Sequence, residues 1–355
     1  MILNGFLLGL GISLIVTPIV RRYARVLGVI DRPDRERKKH AKATPLMGGV
    51  AILIALCLSM LLFQDDLLGG FLLKKHLIGI MLGAVVLTVG GILDDAYDLP
   101  PAMQLGFTSA AALVVIGSGI GIDYITNPFG GTFRMDAWEI PVLTLGGSPH
   151  HLTLPGDLFA FVWLMIMMYT TKLLDGLDGL VSGLGVIGFT TVALLSLMPE
   201  VAQPELARLA MMAAGATGGF LFYNGFPASI FLGEGGSTLI GFLLGVMAII
   251  SGGKIGVTIL ILAVPLMDTA WTVVRRTVFE RKSLAVGDLG HLHFRLRALG
   301  LSHPQAVAAF WLFSAAFGGA ALFIRGREKV LALGILAAVF ILISLHDRSK
   351  NSQDA

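Results

Sequence analysis

The chain alternates long apolar runs with short polar breaks. Runs of about 20 apolar residues, the length that spans a bilayer core, fall near 2–20, 46–63, 76–93, 102–121, 157–173, 180–198, 206–223, 236–250, 255–274, 305–324 and 329–345. They predict an all-α polytopic membrane protein with about eleven transmembrane helices and its termini on opposite sides. No internal repeat is evident. The long interruption at 122–156 holds the turn Asn127-Pro128-Phe129-Gly130-Gly131 beside the alternating Thr132-Phe133-Arg134-Met135. A short external β-hairpin is expected there. Residues 1–347 read as a single membrane domain and 348–355 as a short polar tail.

Charge orients this array. The loop 21–45 holds nine Lys and Arg, the loop 275–304 holds six, and the tail adds Arg348 and Lys350, all on one face. By the positive-inside rule that face is cytoplasmic, so the N-terminus is expected outside and the C-terminus inside. With 55% hydrophobic and 14% charged residues and a mean hydropathy of +0.83, the chain cannot present an ordinary water-facing surface. The formal net charge is only +3, and no nucleic-acid partner is expected. The single cysteine, Cys57, excludes a disulfide framework within one chain. The first run lacks a basic flank and a small-residue cleavage pattern, so it is read as a retained helix.

Four polar clusters then fall on the cytoplasmic side. Asp94-Asp95-Ala96-Tyr97-Asp98 closes the third run, and helical continuation would put Asp94 and Asp98 on one face, where like charges repel unless a cation intervenes. A hard, oxygen-liganded ion such as Mg²⁺ answers that need; solvent-exposed helix capping is the alternative. Asp175-Gly176-Leu177-Asp178 follows the fifth run, with glycines that suit a tight reversal near a ligand, or with Asp178 as the N-cap of the next helix. Glu234, between Gly233 and Gly235, follows a break at Asn224-Gly225-Phe226-Pro227. Phosphate binding at a helix start and simple compensation of the helix dipole both suit it. The loop 275–304 carries Arg275, Arg276, Asp288, His291, His293 and Arg295. Orientation in the membrane explains its arginines, whereas the histidines suit an anionic phosphate or diphosphate. His150 and His151 lie in the external segment without nearby carboxylates and read as solvated loop residues.

With these residues in hand, the chain resembles the polyprenyl-phosphate N-acetylhexosamine-1-phosphate transferases, a family that includes phospho-MurNAc-pentapeptide translocase. The pieces come in family order over nearly the whole chain: Arg37-Lys38-Lys39-His40 with Thr44-Pro45-Leu46-Met47-Gly48-Gly49, the Asp94 and Asp175 clusters, Asn224 with Pro227-Ala228 and Phe231-Leu232-Gly233, Pro265 with Asp268, and Asp288 with His291-Leu292-His293. The histidine loop looks more like the GlcNAc-1-phosphate branch. The resemblance implies transfer of a sugar-1-phosphate from a UDP-N-acetylhexosamine to a polyprenyl phosphate at the inner (plasma) membrane, with Mg²⁺ and release of UMP, as a first membrane step of a cell-envelope glycan. It also allows a homodimer. It implies catalytic Asp94, Asp95 and Asp178, with Asp95, Asp178 and Glu234 near the metal. Lys38, His40, Lys172, Asp175, Asn224, His291, His293 and Arg295 are implied to bind substrate.

Three departures bear on the site. Lys172 stands where the family has Asn, Glu234 where it has Asp, and Phe294 where it has a third histidine. Glutamate reaches about 1.5 Å further than aspartate, and an ammonium at Lys172 can take part of a metal's space or pair with Glu234. These departures keep open a rival, a catalytically silent homologue that binds or scaffolds a polyprenyl carrier, and carboxylates near a membrane also allow an ion-coupled transporter. Clustering of the acids at loop edges, away from the midplane, counts against the transporter.

Overall fold

The computed structural model describes residues 2–31, 43–68, 70, 72–127, 130–145, 148–252, 255–279, 291–324 and 326–338. In chain order the elements are α1 (Ile2–Leu27), β1 (Ile30–Asp31), β2 (Thr44–Pro45), α2 (Gly48–Leu62), α3 (Gln64–Leu67), α4 (Lys74–Tyr97), α5 (Pro101–Gly117), β3 (Tyr124–Thr126), β4 (Thr132–Arg134), β5 (Trp138–Leu145), β6 (Ser148–Leu154), α6 (Gly156–Leu174), α7 (Leu180–Ser196), α8 (Pro204–Asn224), α9 (Gly233–Ile250), α10 (Ile255–Ile261), α11 (Ala263–Val274), α12 (Leu292–Ala298) and α13 (His303–Phe323). Arg275–Phe279 continues α11 as a π-helical turn, and residues 327–338 are helical.

Six of these helices, α1, α4, α6, α8, α9 and α13, are long and apolar enough to cross a membrane, and the bent pair of α10 and α11 makes seven. The molecule is therefore a mostly helical, multi-pass membrane protein. Hydropathy alone counts eleven runs, and three of them fall on helices shorter than 18 residues. α2, α5 and α7 have 15, 17 and 17 residues, and at 1.5 Å per residue the shortest of them falls below a bilayer core of about 30 Å. The break between α10 and α11 is 82°. Pro265 accounts for it, because its missing N–H removes the helical bond to Ile261 four residues earlier.

Glycines set how closely the helices pack. Gly9 of α1 lies against the backbone of Met212, and Gly215 and Gly219 of α8 lie against the backbone of Phe6 and Leu10. This spacing is the small-residue pairing of membrane helices. α9 is the central helix, with 89% of its span window buried. Its first turn meets α2 at Gly49 and α4 at Gly91, where any side chain would strike Gly235 or Gly236. Trp163 Nε1 of α6 donates to the Gly245 carbonyl further along α9 at 3.1 Å.

The segment 122–156 contains two antiparallel ladders. β3 pairs with β4 with Tyr124 opposite Arg134, and β5 pairs with β6 with Trp138 opposite Leu154 and an irregularity between Pro141 and Leu143. At the other end of the bundle, β1 and β2 form a two-residue ladder with Asp31 opposite Thr44. The α8–α9 loop is tied to it, with Phe231 N–H donating to the Pro45 carbonyl at 2.8 Å and Gly48 N–H to the Phe231 carbonyl at 3.0 Å.

Candidate active site

Three of the four polar clusters converge on one cavity of about 830 Å³ at the end of the bundle that holds the β1–β2 ladder. Seven carboxylates line it, those of Asp31, Asp94, Asp95, Asp98, Asp175, Asp178 and Glu234, and Lys172 is its only Lys or Arg among the described residues. Each group arrives by a local feature of the chain. α4 runs to Tyr97 and carries Asp94 and Asp95 in its last turns, while Asp98 takes a left-handed backbone (φ 52°) and leaves the helix. Aspartate tolerates that conformation better than most residues. The expected continuation of one helical face from Asp94 to Asp98 is thus replaced by a turn, although both side chains still reach the cavity. α6 ends at Leu174, which sends Asp175 and Asp178 across the rim. Gly179, with φ 78°, and not Asp178, occupies the N-cap of α7.

The carboxylates are held in different ways. Asp94 Oδ1 accepts the Leu99 backbone N–H and Gln104 Nε2, each at 2.9 Å. Asp95 Oδ1 accepts the backbone N–H of Glu234 at 3.2 Å, and its other oxygen lies against Gly233. A Cβ at Gly233 would collide with that oxygen, and the backbone there has φ +70°, so glycine is required. Asp178 Oδ2 accepts the Ala228 N–H at 3.0 Å. Asp175 opens onto the cavity but is surrounded by protein. Burial, reinforced by the charges of Glu234, Asp95 and Asp178, pushes its pKa well above the usual carboxylate range.

Lys172 joins two of the clusters. Its Nζ donates to Gln104 Oε1 at 2.7 Å and stands 2.9 Å from Glu234 Oε2, with the two side chains 16% and 34% exposed. The departures at 172 and 234 therefore meet as one ion pair, as their chemistry allowed. Asn224 is spoken for: its Oδ1 accepts Ser182 Oγ at 2.6 Å and Gly179 N–H at 3.2 Å, and its Nδ2 donates to the Ile230 carbonyl at 3.1 Å. It clamps two site loops together while forming part of the cavity wall.

The histidine cluster stands behind the cavity. His293 is fully buried, and its ring presses on Gly176, leaving no room for a Cβ there. Burial, opposed by the Asp268 charge and aided by His291, lowers its pKa to about 4. Arg295 lies on α12 one turn beyond His291, its N–H bonded to the His291 carbonyl at 3.1 Å. Lys38, His40 and Asp288 lie outside the described residues, as do the side chains of His150 and His151. Cys57 is half-buried on α2.

Two polar residues were passed over as site members in the sequence: Gln104, which links Asp94 to Lys172, and Asp268, which holds His291 Nδ1 at 2.8 Å. Each was visible as a polar residue inside an apolar run, which is a functional signal in its own right.

An anionic cavity at the ends of membrane helices, with one ammonium inside it and histidines behind it, suits cation-assisted chemistry on phosphorylated groups at the membrane edge. Residues 77–252 match the model of the family described as Glycosyl transferase family 4. Over 348 residues the chain is 32% identical to a probable undecaprenyl-phosphate N-acetylglucosaminyl 1-phosphate transferase of Bacillus subtilis (strain 168), covering 96% of this chain and 89% of the relative. It is 29% identical over 365 residues to a decaprenyl-phosphate N-acetylglucosaminephosphotransferase of Mycolicibacterium smegmatis, covering 93% and 86%. It is 26% identical over 318 residues to a phospho-N-acetylmuramoyl-pentapeptide-transferase of Bacillus velezensis, covering 87% and 92%. The chain belongs to glycosyl transferase family 4, among the polyprenyl-phosphate sugar-1-phosphate transferases.

Proposed function

We infer that this protein transfers an N-acetylhexosamine-1-phosphate from a UDP-sugar to a polyprenyl phosphate at the cytoplasmic face of the inner membrane. The observation that carries the reading is the cavity of about 830 Å³ lined by seven carboxylates and Lys172, in a chain whose relatives carry those names. An oxygen of the acceptor phosphate bonds to the β-phosphorus of the UDP-sugar, the bond from that phosphorus to the bridging oxygen breaks, and UMP leaves with the electron pair. Asp95 takes the proton of the acceptor phosphate. It suits this role better than Asp94, whose Oδ1 is already engaged by two hydrogen bonds. Lys172 supplies positive charge where the diphosphate enters. The polyprenyl tail stays in lipid.

The oxygen donors fit a hard divalent cation such as Mg²⁺. Such an ion keeps several waters and takes ligands from substrate phosphates; among the described residues no three acids or histidines stand close enough to hold it by themselves. Asp95, Asp178 and Glu234 would hold it, in competition with Lys172 for Glu234, and it would neutralise diphosphate charge. In this reading α2, α5 and α7 also cross the membrane, the cavity end faces the cytoplasm, and the two ladders face outside. Retention of Asp94, Asp95, Asp175 and Asp178 favours turnover over a silent carrier-binding role.

The test is UMP release by the purified protein with polyprenyl phosphate and a panel of UDP-N-acetylhexosamines, with and without Mg²⁺. Formation of a polyprenyl diphosphate sugar is expected, and Asp95→Asn should abolish it in a protein that still folds. Binding of polyprenyl phosphate with no turnover of any UDP-sugar would replace the enzyme by the silent homologue.

A further inference from the structure

Asp268 lies in α11, just after the 82° break, and is 1% exposed. Both of its oxygens are used. Oδ2 is 2.8 Å from His291 Nδ1, and Oδ1 accepts the Leu292 backbone N–H at 2.8 Å, so one carboxylate holds both the ring of His291 and the start of α12. Thr272 Oγ1, one turn along α11, stands 3.4 Å from the same ring nitrogen. A carboxylate facing Nδ1 requires a proton on Nδ1, which leaves Nε2 as the ring's variable position. The His291 ring stacks on that of His293 with centroids 5.6 Å apart and planes 9° apart. Neither ring nitrogen of His293 has a hydrogen-bond partner among the described residues, and this ring is the one pressed on Gly176 in the cavity wall. An unbroken line of contact therefore runs from Asp268 through two imidazoles to the turn that carries Asp175 and Asp178. Asp268 and both histidines lie beyond the residues that match the family model, 77–252.

We propose that Asp268 is a positioning residue for nucleotide-sugar binding: it fixes the Nδ1–H form of His291 and, through the stacked His293, braces the Asp175–Asp178 turn. The proposal rests on the transferase reading above. It is tested on the full chain in lipid nanodiscs with a double-mutant cycle of Asp268→Asn and His291→Ala, read as KM and kcat with UDP-N-acetylglucosamine, and with ¹⁵N-histidine spectra assigned by the His291→Ala difference. Asp268→Asn should raise KM about tenfold with kcat changed less than threefold, and it should add no more than twofold to KM once His291 is alanine, because the two act as one unit. The wild-type spectrum should show His291 protonated on Nδ1. An equal KM penalty in both backgrounds, or an unchanged KM in Asp268→Asn, overturns the proposal. So does a neutral His291 carrying its proton on Nε2, a measurement on the wild type that stands even if Asp268→Asn fails to fold. If the wild type turns over no UDP-sugar, the transferase reading falls; direct titration with UDP-N-acetylglucosamine then replaces KM in the same cycle, and the same outcomes decide the role of Asp268.

Discussion

At the residue scale, the site turns on how one ammonium is shared among many carboxylates. Lys172 is paired with Glu234 at 2.9 Å, and both side chains are only partly exposed. Removing either partner strands the other charge. Lys172→Asn and Glu234→Gln should each lower stability by about 1–3 kcal/mol, between the values of surface and fully buried pairs. Lys172→Asn combined with Glu234→Asp, the pair the family resemblance expects, should recover stability and raise the response of UMP release to Mg²⁺. Thermal unfolding in detergent and a Mg²⁺ titration check this, and single variants no worse than the double would refute the coupling. His293 gives a second prediction. Its pKa falls to about 4 in the fold from about 6.5 in an unfolded chain. Between these values the unfolded chain binds more protons, so stability declines as pH falls from 6.5 toward 4 and does not respond to this group above 6.5. The effect is at most about 3 kcal/mol, and His293→Phe should flatten the acid side of the stability profile.

At the element scale, backbone contact between helices places the acids. Gly91 lets α4 reach the first turn of α9, and a Cβ there would strike the backbone of Gly235. Since Asp95 lies one turn further along α4 and accepts the N–H of Glu234, Gly91→Ala should separate the two residues. A loss of about 1–3 kcal/mol is expected from overpacking, with a larger loss of UMP release than Gly106→Ala causes. Gly106 on α5 has nothing within 4 Å of an added Cβ, so its replacement should be neutral or slightly stabilising through helix propensity. Thermal unfolding and turnover of the two variants decide the matter. The helix ends follow similar local rules. Pro101 and Pro204 open α5 and α8, where the missing N–H costs no helical bond. In the same way, Pro265 explains a break that the apolar run 255–274 concealed.

At the scale of the whole molecule, sidedness is the main prediction. In a Cys57→Ala background, a cysteine at Asp98, on the cavity end, should resist an impermeant thiol reagent added to intact cells. One at Glu205, at the start of α8, should be labelled. Labelling at position 98 from outside would invert the orientation that the Lys and Arg distribution predicts. Treatment with a chelator should stop turnover, and Mg²⁺ should restore it. Turnover that is indifferent to the chelator would leave Lys172 as the cation that serves the diphosphate.

The membrane class, the positions of the helices and three of the four site clusters were legible in the sequence, because apolar run length and charge near a bilayer edge are local properties of the chain. The family resemblance was legible for a similar reason: it rests on short motifs in order. Only the tertiary structure showed how long each helix is, because hydropathy marks an apolar run and not where its helix begins and ends. The pairing of Lys172 with Glu234 was one option in the sequence that the structure selected, and only the structure committed Asn224 to Ser182 and Gly179 and set His293 behind Gly176. Those contacts join residues far apart in the chain, and they depend on glycines whose use is to let two backbones meet, a requirement that appears only once both helices are in place.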